Sequence, residues 1–192
     1  QLVAHFVLMF GLIILVSDDL GSALVYLVIF LVILFAAGLK LRWFGLGLLL
    51  FAASSPILWR MLGDYQKQRI LAPYIPEVVD PTGLGVTWQA NQSKIALASG
   101  GLKGAGLYHG VQSQSGALPY KHTDFIFAVA GEELGLIGCL TIILLLTAII
   151  LRCIYVGVKC NDPKGMLVCI GYAGMLIFQT FENIGMCAGL TP

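Results

Sequence analysis

The sequence predicts an all-α, polytopic transmembrane helix bundle of about five spans with one long extracellular loop. Three observations predict it. Of 192 residues, 58% are hydrophobic and only 11% charged, against about 25% charged in a soluble domain. The mean hydropathy is +0.91. The apolar residues fall into long runs, and a single stretch of roughly sixty residues lacks one. A net charge of +1 excludes a strongly basic nucleic-acid binder. Cys139, Cys153, Cys160, Cys169 and Cys187 sit in or beside the apolar runs without a C-x-x-C pair. They read as small hydrophobes, not as a disulfide or zinc framework.

From Phe6 to Ala37 the chain is apolar except for Ser17-Asp18-Asp19. As one helix the run would measure roughly 48 Å, against a hydrocarbon core of about 30 Å. The acids therefore divide it into an incoming helix near Leu2 to Val16 and a returning one near Leu20 to Ala37. Further spans are expected near Trp43 to Leu62, Phe125 to Leu151 and Gly165 to Leu190. The organisation is then residues 1–63, three spans broken at 17–19; residues 64–123, the loop; and residues 124–192, two spans. The chain starts and stops against apolar runs, and is expected to be a piece of a larger membrane protein.

Lys40 and Arg42 occupy one short loop, Arg152, Lys159 and Lys164 another. Two crossings separate these loops, so both lie on one side, and the positive-inside rule makes that side cytoplasmic. Asp18, Asp19 and the loop 64–123 then face outward. Long unstructured loops are usually functional or disordered. The aromatics Tyr65, Tyr74, Trp88 and Tyr108 argue for order, and Trp88 to Ser99 is expected to form a short helix at the outer interface.

Acids at the mouth of an apolar helix persist where chemistry or transport needs them. Asp124 is expected in the first turn of such a helix, capped by Thr123. Acids also favour that position through the helix dipole alone. Ala128, Gly131, Gly135 and Gly138 lie within roughly 40° of Asp124 on a helix. That stripe of small residues means either close helix packing or a groove opening on Asp124. Glu132, nearer the stripe, is a candidate cavity-lining group, and Glu133 reads as a structural hydrogen bonder. Asp19 is either a turn residue or a second carboxylate in the same outward cavity. Ser99 to Gly106 has the glycines of an anion nest, though a flexible turn has the same composition. Lys94 and Lys103 add an outward basic surface suited to a lipid phosphate. His122 stands close enough to Asp124 to orient it, although solvated loop histidines are commoner. The histidines show no metal-ligand spacing.

These residues fall into motifs that resemble one family. They are Asp19-Leu20-Gly21-Ser22-Ala23, Asp64-Tyr65-Gln66-Lys67-Gln68-Arg69, Gln92-Ser93-Lys94-Ile95-Ala96 and Ser99-Gly100-Gly101-Leu102 with Gly104. They continue with Leu118-Pro119, His122 to Ala128, Gly131 to Gly135, Asn183-Ile184-Gly185-Met186 and Gly189-Leu190. Together they resemble the SEDS proteins (RodA, FtsW and SpoVE), with Lys94 after Gln92-Ser93 closer to the RodA branch. One departure is Ser17-Asp18 where the family usually has Gln-Pro, which leaves Asp18 or Asp19 for the second aspartate.

The resemblance implies a ten-span protein of the bacterial plasma membrane, of which this piece supplies helices five to nine. It implies a peptidoglycan polymerase that transfers glycan from lipid II to a growing strand, in cell shape and division, with a class B penicillin-binding protein as partner. Asp124 matches the essential acid. Asp19, Gln92, Ser93, Lys94, Gly100, Gly101, Lys103, His122, Thr123 and Glu132 form the expected substrate-binding set. No cofactor is implied, and assistance by a divalent cation stays open. The piece alone is expected to be inactive. Two other functions suit an outward cavity with intramembrane acids: a lipid II flippase or ion-coupled carrier, and a non-catalytic scaffold for the penicillin-binding protein.

Overall fold

Apolar runs form helices because hydrocarbon offers backbone N–H and C=O groups no partner but each other. A computed structural model of the chain describes residues 2–13, 16 and 20–191. Asp18 and Asp19, with the expected break around them, lie outside the described residues. In order come α1 (Leu2–Leu12), α2 (Leu20–Ala36), α3 (Leu41–Met61), α4 (Asp64–Leu71), α5 (Pro76–Val79), α6 (Trp88–Ser99), α7 (Val111–Gln114), α8 (Ile126–Lys159) and α9 (Pro163–Cys187). Among the described residues, α3, α8 and α9 are long and apolar enough to cross a membrane, and Val3–Leu12 and Gly21–Ala36 are shorter apolar helices. The chain forms two compact units, Gln1–Leu49 with Leu146–Thr180, and Leu50–Leu145 with Phe181–Pro192.

The first unit is held by aromatic stacking and by small residues at helix contacts. Phe6 of α1 stacks on Phe30 and Tyr26 of α2, with ring centroids 3.9 and 5.7 Å apart. Gly171 and Gly174 of α9 face Ile33 and Val32 of α2, where a Cβ would stand only 3.0 and 2.9 Å from those side chains. Gly157 of α8 faces Cys169 and Ile170 of α9 in the same way. Small residues let membrane helices approach closely enough for dispersion to hold them. Helix α9 starts at Pro163 because Asp162 caps it: its carboxylate accepts the Gly165 N–H at 3.0 Å.

The second unit carries the site. Pro56 removes a donor inside α3, and the Ser55 hydroxyl supplies one to the Ala52 carbonyl at 2.8 Å. Ala96, Leu118, Phe125, Ala128 and Cys187 form the buried core. They bring together α6, the segment before α8, the start of α8 and the end of α9. Helix α6 has the expected bounds, and it buries Ser93 and Ala96.

Two expectations change at α8. The helix starts at Ile126, so Asp124 lies in the turn before it, and the Thr123 hydroxyl bonds the Tyr120 carbonyl instead of capping. The expected continuous helix is also interrupted, at Gly135 (φ 70°, ψ −169°). The loop 101–106 enters the interruption. Ala105 and Gly106 donate their N–H groups to the Glu132 and Glu133 carbonyls, at 2.9 and 3.0 Å. Leu136 and Ile137 donate theirs to the Gly101 and Leu102 carbonyls, at 2.9 and 3.3 Å. The polar loop thus completes the hydrogen bonding that the helix gives up. Glycine is needed for the approach: a Cβ on Gly104 would stand 2.1 Å from the Glu133 carbonyl oxygen, and one on Gly100 1.9 Å from that of Gly131.

Candidate functional site

A cavity of about 340 Å³ lies within the second unit. Helix α4 contributes Tyr65 and Arg69, four residues apart and therefore on one face. Helix α6 contributes Asn91 and Lys94, three apart. Asp124 comes from the turn before α8, and Gly189 and Thr191 from the chain after α9. One carboxylate and two cations therefore line one cavity. Among the described residues Asp124 makes no ion pair, so its carboxylate is not neutralised by Lys94 or Arg69 in direct contact.

The backbone of Asp124 is held from three directions. Next to it Phe125 is buried, and the Phe125 N–H donates to the Tyr120 carbonyl at 3.2 Å. Asn183 of α9 donates its Nδ2–H to the Asp124 carbonyl at 2.9 Å. Cys187 Sγ lies 3.7 Å from the same oxygen. Lys94 is placed by Gly189, which ends α9 in the left-handed region (φ 68°): the lysine side chain crosses its Cα, where a Cβ would meet Cε at 2.1 Å and Nζ at 2.6 Å. An ammonium there also complements the negative end of the α9 dipole.

The rim opposite rests on Asp80. Its carboxylate accepts from the Thr87 hydroxyl at 2.7 Å, the Thr87 N–H at 3.1 Å and the Gly85 N–H at 2.8 Å, while the Thr82 hydroxyl reaches its other oxygen at 3.1 Å. The Thr87 hydroxyl leads these donors in holding its pKa at about 2, below the ordinary 3.8. Gly85 and Thr87 line the cavity.

Of the expected site residues, Asp124 and Lys94 meet at the cavity. Gln92, Ser93, Gly100, Gly101, Lys103, His122, Thr123 and Glu132 are not among its lining residues, and Asp19 lies outside the described residues. Ser93 is fully buried and donates to the Cys187 carbonyl at 2.8 Å. The N–H groups of Gly104, Ala105 and Gly106 are taken by carbonyls, so that part of the glycine loop makes no anion nest. The small stripe is covered: Leu97 lies over Gly131, and Leu102 and Gly104 over Gly135.

Glu132, expected at the cavity, is 1% exposed and clamps α7 instead, accepting the Gln112 and Ser113 N–H groups at 2.7 and 2.9 Å. Glu133 accepts from Gln114 Nε2 at 3.2 Å and from the Ser113 hydroxyl at 3.4 Å. Tyr65, Arg69 and Asn183 stand in the family-like motifs and Asn91 on α6, but none of the four was expected at the site. The i, i+4 spacing of Tyr65 and Arg69 was the available signal. Among the described residues no three His, Cys, Asp or Glu side chains gather to hold a metal ion.

Helices of spanning length and a charged cavity beside one of them define a polytopic helical membrane protein with a polar site. The comparisons narrow this further. The family model described as "Cell cycle protein", covering FtsW, RodA and SpoVE, matches residues 1–192, and the chain belongs to that family. It is 42% identical over 177 residues to the peptidoglycan glycosyltransferase MrdB of Escherichia coli K12, covering 92% of this chain and 47% of the relative. It is 39% identical over 180 residues to a probable peptidoglycan glycosyltransferase FtsW of Geobacter metallireducens, covering 94% and 47%. A solved structure described as "Structural coordination of polymerization and crosslinking by a peptidoglycan synthase complex" matches with TM-score 0.73 and 29% identity, over 100% of this chain and 52% of the other. The chain spans about half the length of the curated relatives it matches.

Proposed function

We propose that this chain forms the outward-facing catalytic half of a peptidoglycan glycosyltransferase that extends glycan strands from lipid II. One observation carries the reading: Asp124, Lys94 and Arg69 line one cavity in a chain whose relatives bear that activity in their names. The transfer breaks the bond between the donor sugar's anomeric carbon and the lipid diphosphate, and forms a glycosidic bond to the acceptor hydroxyl. Asp124 takes the proton of that hydroxyl as it attacks. The electron pair of the broken bond leaves on the diphosphate, where Lys94 and Arg69 stabilise the charge. Arg69 takes the place the glycine loop and Lys103 were expected to fill. Asp124 is open to solvent in this chain, so an acceptor hydroxyl can reach its carboxylate.

The loop 64–123 faces outward in this reading, with Lys40, Arg42, Arg152, Lys159 and Lys164 on the cytoplasmic side. A partner that cross-links the strands, a class B penicillin-binding protein, fits the similarity to a chain of a synthase complex described as coordinating polymerization and crosslinking. A divalent cation that assisted would ride on the diphosphate, since the cavity gathers one carboxylate. The test is polymerisation of lipid II in detergent by the full-length protein and its Asp124→Asn variant. Glycan from the wild type and none from the variant is the expected result. Normal polymerisation by Asp124→Asn removes the base role, and lipid movement across vesicles without glycan formation makes the protein a carrier.

A further inference from the structure

The strongest unassigned network in the molecule runs behind the cavity, not into it. Asn183 stands one turn before the end of α9. Its Nδ2–H donates to the Asp124 carbonyl at 2.9 Å, and its Oδ1 lies 4.0 Å from Cys187 Sγ, which itself lies 3.7 Å from the Asp124 carbonyl. The Cys187 carbonyl accepts the Ser93 hydroxyl at 2.8 Å, and Ser93 precedes Lys94 on α6. Two residues beyond Cys187, Gly189 lies beneath the Lys94 side chain. The last turn of α9 thus touches the backbone of the carboxylate residue and the helix that bears the cation. Ser93 and Cys187 are fully buried, so water does not compete for their bond.

We infer that Asn183 is a positioning residue for the glycosyl transfer, fixing the turn of Asp124 so that its carboxylate meets the acceptor hydroxyl. This rests on the function proposed above. Asp124 sits in a turn, not a helix, and its side chain is exposed. The placement of the carboxylate therefore follows that of its backbone, whose carbonyl Asn183 grips with a hydrogen bond of 2.9 Å. A displacement of about 1 Å at a reacting group can lower a rate by about a hundredfold. Asn183 is not among the residues lining the cavity proposed to take the substrate. Its loss should appear in kcat and leave KM alone.

The experiment uses full-length protein in detergent, with lipid II varied and kcat and KM measured separately. Asn183→Leu keeps the shape and removes the donor. It should lower kcat roughly tenfold or more, with KM within about twofold. Asn183→Asp, which sets a second acceptor against the Asp124 carbonyl, should lower it further, and Asn183→Gln, which keeps an amide donor, should recover part of the rate. Should Asn183→Leu fail to fold, the Asp and Gln variants decide by the same split.

Unchanged kcat in these variants overturns the inference, and so does a rise in KM at constant kcat, which would put Asn183 in contact with substrate. Asp124→Asn runs beside them. If it is active, the proposed function falls and the inference with it. If it is inactive while the Asn183 variants match wild type, only the inference falls.

Discussion

Replacing Gly189 by alanine should move the Lys94 ammonium without touching any charge. The added Cβ would stand 2.1 Å from Lys94 Cε and 2.6 Å from Nζ, where an ordinary contact is about 3.5–4.0 Å. The atoms it meets are the far end of a flexible side chain, so the lysine swings aside by roughly 1–2 Å and the helix end stays. Two unit charges about 4 Å apart interact by about 4 kcal/mol at an effective dielectric of about 20, and by about 3 kcal/mol at about 5.5 Å. Solvent trims this for an exposed lysine, leaving a loss of about 0.7–1 kcal/mol, or three- to fivefold in KM for lipid II. The left-handed backbone at φ 68° adds about 1 kcal/mol of strain, local to the end of α9. The assay is lipid II polymerisation by the full-length protein, with Gly189→Ala, Lys94→Ala and the double variant forming a cycle. With the lysine already gone, Gly189→Ala should change KM no further. Additive effects in the double variant would refute Lys94 as the route.

Arg69→Ala should raise KM by about tenfold, the size of a lost charge-assisted contact, and Arg69→Lys should restore part of it; an unchanged KM removes Arg69 from the diphosphate. Glu132→Ala leaves the Gln112 and Ser113 N–H groups without their acceptor, which costs about 3 kcal/mol. The midpoint of thermal unfolding should fall by several degrees, and an unmoved midpoint would show that α7 does not depend on the clamp. The folded pKa of Asp80 lies below its ordinary 3.8, so the rim gains stability that is complete above 3.8 and lost as pH falls toward about 2. Amide exchange at Gly85 and Thr87, corrected for its intrinsic pH dependence, should show protection that disappears across that window. Protection already absent near neutral pH would contradict the hydrogen bonds to Asp80.

The helical class was legible because a charge deficit and long apolar runs leave a chain no other way to satisfy its backbone. The bounds of α6 were legible as well, since Pro81, Gly83 and Gly85 break the chain before Trp88 and Gly100 follows Ser99. The interruption at Gly135 was not. A glycine in an apolar run usually continues a helix, and here the deciding partners are Gly101 and Leu102, more than thirty positions earlier. Separation along the chain also hid the work of Glu132, whose two N–H donors lie 20 and 19 positions earlier in a short helix that the sequence does not announce. Asp124 and Lys94 could be named singly from their chemistry. Arg69 had no site role in the sequence because a charge in a polar loop looks solvated until the fold brings it to the same cavity as Asp124.

The interlocking of residues 101–106 with α8 makes the loop 64–123 and this membrane helix inseparable in engineering terms. A chimera whose loop took a different backbone path at 101–106 would leave the Glu132 and Glu133 carbonyls without their donors and the Leu136 and Ile137 N–H groups without their acceptors, inside an otherwise apolar segment. A graft that works must therefore carry the first three turns of α8 along with the loop.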